Sequence, residues 1–331
     1  MPVIPRLFAH FMIVRRSRRA NKGFDRASAE RHKQAVTEPS AIPQVFDRAL
    51  QRKRLARALK MGAADFLLIR AVEDMQARLQ ATLRPFPRVL DLGTPGPHLA
   101  AMLAEAADGR SITRAAPLAE IDNSRWTTIL ADEEALPFAP QNFDLVVSAL
   151  SLQWVNDLPG ALIQIRRALS PDGLFLACMM GGQTLQELRA ALAQAEDEIT
   201  GGASPRVAPF ADLRDMGGLL QRAGFALPVT DIDTIMVRYN DMFGLMADLR
   251  AMGATNTLVQ RLKQPLQRAV FLRAAEIYDQ LFADPDGRVR ATFEIVWLSG
   301  WAPHESQQKP LQPGSAKMRL ADVLGVKEGK V

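Results

Sequence analysis

The sequence predicts an α/β protein with a doubly wound sheet, added helices in front of it and a C-terminal extension. Three observations carry this. Between residues 88 and 199, short apolar segments alternate with amphipathic helical ones, the pattern of a doubly wound parallel sheet. Segments such as FDLVVSAL (143–150) are apolar without interruption, as strands buried on both faces must be. The first strand, RVLDLG (88–93), runs into a glycine turn and then a helix. In such sheets ligands bind beyond the carboxyl ends of the strands.

The elements follow in order. Residues 46–59 and 64–83 have apolar positions at helical spacing, and Pro85 and Pro87 end the second helix. Residues 98–107 form the helix after the glycine turn, 110–116 a weak strand, and 127–132 and 143–150 further strands. Residues 158–169 are a helix closed by SPDG, 174–180 a strand and 184–199 a helix. Beyond residue 200 the rhythm changes: helix 212–225, long strand 227–239, helices 241–253 and 266–282, strand 289–302, then a Pro/Gln-rich tail segment. Four regions result: a basic arm (1–44), a helical lead-in (45–84), the α/β domain (85–240), and a helical cap with a strand and loose tail (241–331).

Composition is that of a globular chain, 48% hydrophobic and 23% charged over 331 residues. No apolar run approaches the roughly 18–20 residues of a membrane span, so stable membrane insertion is not expected. Cys178 is the single cysteine, which excludes an intrachain disulfide and fits a reducing compartment. The net charge of +5 conceals a division. Residues 1–60 hold 15 Lys/Arg and 4 Asp/Glu, and the rest holds 26 against 32. No basic patch interleaved with aromatics follows in the body, which argues against nucleic acid as a partner. The acid-free stretch 1–24, with Arg15, Arg16, Arg18 and Arg19, reads either as an organellar transit peptide or as a plain basic arm.

The loop LDLGTPGP (90–97) is the first candidate site. Gly93 stands where a nucleotide-cradling turn needs positive φ. Pro95 and Pro97 replace two expected glycines, and Gly96 offers a displaced one. Pro97 suits the first turn of a helix, whereas Pro95 removes a donor. The loop is either a retained pocket in altered form or a structural turn. Asp91, at the strand end, either reaches the amine of an amino-acid-like ligand or caps loop amides. The second strand lacks the acid that would accept ribose hydroxyls: Ala116 stands there, and Glu120 and Asp122 come later.

Two more strand ends carry polar clusters. In ADEEALPF (131–138), Asp132 is placed to accept from an adenine amino group, or is part of a solvated acidic turn. In SALSLQWVNDLP (148–159), Ser151, Gln153 and Trp154 face the pocket, or Trp154 simply packs. His98 and His304-Glu305 are too scattered to argue for a metal. The stretch MFGLMADLRAMG (242–253) places Met242, Phe243, Leu245, Met246, Leu249 and Met252 close together. This is either an adaptable binding surface or a helix packed on the sheet.

The order LDLG…LADEEALPF…FDLVVSALSLQWVNDLP…PDG resembles the Rossmann-like class I S-adenosylmethionine-dependent methyltransferases. With VFDRALQRKR, GGQTLQELR, SPRVAPFADLRDMGGLLQRAGF, MFGLMADLRAMG and GW.PHESQQKP, it resembles one branch in particular. That branch holds the mitochondrial respiratory complex I assembly factor described as an arginine hydroxylase, and its bacterial relatives. The resemblance covers about residues 45–325. It implies S-adenosylmethionine as cofactor, with Asp91, Gly93 and Gly96 in its loop and Asp132 and Glu133 by the adenine. The backbone from Ser148 to Ser151 would lie at its methionine end. It also implies a protein substrate, an arginine on a complex I subunit, and the bacterial cytoplasm or the mitochondrial matrix as location. Three functions stay open: that assembly role, methylation of a malonyl carrier protein in biotin synthesis, and a cofactor-free binding module.

Overall fold

A computed structural model describes residues 43–105, 109–119, 125–210 and 213–308. The basic arm up to residue 42, the tail from residue 309, and Glu120 and Asp122 lie outside the described residues. The lead-in is α1 (Arg48–Met61) and α2 (Phe66–Gln80). Then come β1 (Arg88–Leu92), α3 (His98–Glu105), β2 (Ser111–Ala116), β3 (Thr127–Leu130) and β4 (Phe143–Ala149). They are followed by α4 (Leu158–Ala168), β5 (Leu169–Met180), α5 (Gln186–Thr200), α6 (Leu213–Arg222) and β6 (Ala226–Tyr239). Helices α7 (Met242–Ala251) and α8 (Arg268–Phe282) precede β7 (Val289–Trp301).

Among the described residues seven strands form one sheet in the order β3-β2-β1-β4-β5-β7-β6. β1 to β5 are parallel. The expectation of a parallel sheet is corrected at the far end. β7 enters between β5 and β6 and runs antiparallel to both, so the sheet is mixed. A β6–α7–α8–β7 connection of this kind returns the chain in the opposite direction, which a right-handed crossover between parallel strands does not. SPDG also departs from expectation. It does not close the helix as a separate turn but is drawn into the start of β5, with Asp172 at φ +60°.

The continuous apolar strands have the expected cause. Along β4, Leu145 and Val147 pack into one core and Val146 into another, and β1 divides Val89 from Leu90 and Leu92 in the same way. Helices α2, α3, α5, α7 and α8 cover the first face, and α4 and α6 the second. Period-two side-chain alternation thus buries the apolar positions of β1 and β4 between two helical layers. The two edge strands, β3 and β6, are the exceptions: none of their residues is fully buried.

The lead-in is held at its start and along α1. Asp47 caps α1, accepting from Leu50 N at 3.0 Å. Asp47 N donates to Thr257 O at 2.8 Å, and Val259 N to Val45 O at 2.9 Å. Asn156 Oδ1 accepts from Phe46 N at 2.7 Å. Gly253 lies so close to α1 that a side chain there would press on the Leu55 backbone. The segment after α7 therefore clamps α1 over the strand ends.

Candidate functional site at the strand ends

The sheet order reverses between β1 and β4, which places the crevice beyond their carboxyl ends. Three turns meet there: residues 93–97 after β1, 131–135 after β3 and 150–155 after β4. Gly93 has φ +71° and Gly96 φ +72°, the left-handed conformation that favours glycine. Gly93 has a second reason. A side chain there would strike Ser151 Oγ and Glu133 Oε1. Gly93, Glu133 and Ser151 are therefore brought together, and Ser151 Oγ donates to Glu133 Oε1 at 2.7 Å. Gly96 faces away from them, towards Leu59 and His98.

Asp91 stands beneath this turn. It is fully buried, and Arg114 of β2, 1% exposed, donates to its Oδ2 at 2.6 Å. The other arm of the guanidinium reaches Thr94 O at 2.8 Å, and Thr94 Oγ1 accepts from Ala149 N at 3.1 Å. One buried arginine thus ties β2 to the β1 turn, and one threonine ties that turn to β4. Ser148 is buried on β4, beside Ala177 of β5. At the end of β2, Ala116 is fully buried and brings no carboxylate.

Asp132 and Glu133 are engaged from across the crevice by α1. Arg48 Nη2 contacts Asp132 Oδ1 at 2.8 Å and also Glu133 Oε2, while Arg48 Nη1 donates to Trp154 O at 3.1 Å. Arg52, one turn on, contacts Asp132 Oδ2. Burial alone would lower the Arg48 pKa, but the charges of Glu133 and Asp132 and the hydrogen bond to Glu133 hold it above its ordinary value. Burial likewise opposes ionisation of Asp132. The Glu134 amide and the two guanidinium groups outweigh it and hold the carboxyl below the usual range. The space left between Arg48, Gly93, Glu133 and Ser151 is only about 10 Å3.

Beside it, past Pro95 and His98, lies an apolar cavity of about 140 Å3. Two of its lining residues, Leu150 and Leu185, have left-handed backbones at φ +51° and +56°. Such strain persists where the surroundings fix it, and it clusters at functional sites. The polar side chains of the lining are mainly acceptors or neutral. Asp65 Oδ2 lies 2.9 Å from His98 Nε2 at the edge. Gln153 donates to Leu150 O at 2.8 Å, and its buried Oε1 has no hydrogen-bond partner among the described residues. No Lys or Arg lines this cavity among the described residues.

Arg48, Arg52 and Arg114 were not among the residues the sequence singled out. The available signal was slight: Arg48 and Arg52 are four apart on one helix, hence on one face, and Arg114 interrupts an otherwise strand-like run. Of the MFGLMADLRAMG residues, Met242 and Leu245 are wholly buried core, Leu249 and Met252 line the cavity, and Phe243 is 45% exposed.

Comparison with known proteins agrees with this architecture. A family model described as a methyltransferase domain matches residues 90–177. The zebrafish (Danio rerio) mitochondrial arginine-hydroxylase NDUFAF5 is 40% identical over 287 residues, covering 84% of this chain and 89% of that protein. Its human counterpart is 42% identical over 297 residues, covering 87% and 85%. A malonyl-[acyl-carrier protein] O-methyltransferase of Gallionella capsiferriformans is 33% identical over 275 residues, covering 78% and 92%. With its 3-2-1-4-5-7-6 sheet and this likeness over most of its length, the chain belongs to the arginine-hydroxylase NDUFAF5 family of class I methyltransferase-fold proteins.

Proposed function

We propose that the protein acts on a partner protein in respiratory complex I assembly, at an arginine side chain. The observation that carries this, beyond family membership, is the chemistry of the apolar cavity. Its described lining brings no Lys or Arg, offers the spare acceptor of Gln153, and has Asp65 at the edge beside His98. A guanidinium has five donors and no acceptor, so it suits such a lining. The free carboxylate of a malonyl group would find no Lys or Arg there, only His98 already beside Asp65, and an unpaired charge costs several kcal/mol in a dry site. This disfavours the carrier-protein alternative.

We infer S-adenosylmethionine as the cofactor. The fit is one of kind: two left-handed glycines in the β1 turn, a carboxylate pair after β3, and Ser151 after β4. Gly93, Gly96, Asp132 and Glu133 would hold it, with Ser148 and Ser151 in the β4 segment beside them. When bound it supplies an electrophilic methyl sulfonium. The space beside Arg48 and Glu133 is far smaller than a cofactor, so in this reading the Arg48 and Arg52 side chains swing aside and open it towards the adjoining cavity. This chain's residues then orient the partner's side chain and exclude water. The compartment proposed is the bacterial cytoplasm, with the mitochondrial matrix as the alternative favoured by the mitochondrial relatives. Among the described residues no helix is long and apolar enough to cross a membrane.

The test is mass spectrometry of complex I purified from a strain lacking the gene. Loss of an arginine modification, restored by the parent chain, supports the reading. Normal complex I with unchanged arginines refutes it, and an accompanying biotin requirement would point to the malonyl reading instead.

A further inference from the structure

Outside the site, a broad groove of about 650 Å3 runs between α1, α5, α7 and the segment 254–266. Its floor is apolar, with Met246, Leu262 and Phe271 among its members. Its charged lining is of one sign: Arg54, Arg206, Arg250, Arg261 and Lys263, with no Asp or Glu among the described lining residues. This stands against a body that, beyond residue 60, carries more acids than bases. Two of the five are already paired, Arg206 with Glu196 and Arg261 with Asp47 at 3.5 Å. Among the described residues Arg54 donates only to the Asn256 carbonyl. Arg250 and Lys263 are exposed, with no ion pair among the described residues. Burial, and then the charges of Arg261 and Arg57, pull the Arg54 pKa below its ordinary value against the opposing charge of Asp47.

The groove is continuous with the inner cavity. Trp154, Leu185, Phe210, Leu249 and Ala254 line both. A chain lying in the groove would therefore bring a side chain to the cavity mouth.

We propose that this groove docks an acidic, apolar-containing extended segment of the partner protein, flanking the side chain that enters the cavity. The proposal rests on the protein-partner reading above. Apolar residues of the segment cover the floor, and its carboxylates meet Arg54, Arg250 and Lys263. Complementary charge of this kind sets encounter rate, register and partner choice. The groove is formed by segments that the sequence pattern sets far apart, α1 at one end of the chain and residues 254–266 near the other.

The test uses the full chain and an Arg250→Glu/Lys263→Glu variant, both changes being at exposed positions without ion pairs. Fluorescence anisotropy compares short labelled peptides of alternating Glu and Leu, or Gln and Leu, with a short DNA duplex as a polyanion control. The expected result is roughly tenfold or better preference for the Glu peptide, weakening as salt rises from about 50 to about 200 mM. The variant should lose roughly tenfold in affinity with an unchanged melting curve. Equal binding of the two peptides, or an unaffected variant, would overturn the proposal, and so would a duplex bound as tightly as the Glu peptide. Complementation of the deletion strain separates this from the wider reading. If the variant restores arginine modification as well as the parent does, docking at this groove fails and the function stands. If the parent itself restores nothing, the function fails whatever the peptides do.

Discussion

The Asp91–Arg114 pair and the contact of Arg48 with Glu133 and Asp132 are both arginine–carboxylate clusters at the strand ends. They differ in water access and in what they join. Arg114 and Asp91 are 1% and 0% exposed, lie 23 residues apart, and join neighbouring parallel strands. Arg48 is 12% exposed and Glu133 4%, while Arg52 and Asp132 are each a third exposed. These partners are some 80 residues apart and join a helix to the sheet beneath it. The first cluster cannot open without breaking the sheet. The second can open when the Arg48 and Arg52 side chains of α1 swing away from the turn. The buried pair has the place of a scaffold and the other that of a latch, and the latch holds the carboxylates proposed to meet the cofactor.

The largest expected effect comes from the scaffold. Arg114→Met leaves the Asp91 charge buried without its guanidinium, a change that costs about 3–5 kcal/mol. Thermal or urea unfolding should show it. Adding Asp91→Asn should return part of the loss, because the charge goes with its partner. If Arg114→Met unfolds like the parent, the contrast drawn here collapses. A smaller effect is expected in the latch. Arg48→Met should cost about 1–3 kcal/mol, since Glu133 keeps Ser151 but loses its charged donor. Arg52→Ala, at a third exposure, should cost less than about 1 kcal/mol. An Arg52 loss equal to that of Arg48 would place the latch elsewhere.

Acid sharpens the same contrast. The folded state holds the Asp132 pKa below 3.8, so the carboxylate favours folding at any pH above that value. The benefit is lost as pH falls through the lowered pKa. The gap in melting temperature between the parent and Asp132→Asn should be constant from neutral pH down to about 5 and close below about 4. A gap unchanged into acid would mean that the charge of Asp132 contributes nothing. The smallest effect is expected from the basic arm. A chain beginning at Val36 should melt with the parent, because no periodic apolar face precedes about residue 45. A fall of more than a few degrees would count against it.

Sequence reading reached the elements whose cause is local. β1, β4 and residues 174–180 of β5 were legible because burial on both faces makes their runs mostly apolar, broken in β1 and β4 only by Arg88, Asp91, Asp144 and Ser148. Gly93 was legible because few other residues take its backbone conformation. Arg48 and Arg52 were not, because periodicity shows a basic helix face without showing what it meets 80 residues later. β2 was legible only as a weak strand, since Arg114 breaks its apolar run, and its partner Asp91 explains that break. The methionine-rich helix was half legible. Spacing showed that it was amphipathic, but which side met the core and which the groove depended on α1 and α8. The antiparallel entry of β7 had no local signal, because strand direction is set by the connection and not by composition.

The latch claim is tested most directly by amide hydrogen exchange of the full chain with and without S-adenosylmethionine. The account predicts that the cofactor changes exchange in α1, residues 48–61, and in the Asp132–Glu134 turn, while β1 and β2 around Asp91 and Arg114 stay as slow as before. Binding that leaves α1 untouched, change spread equally into β1 and β2, or no change anywhere at saturating cofactor would contradict it.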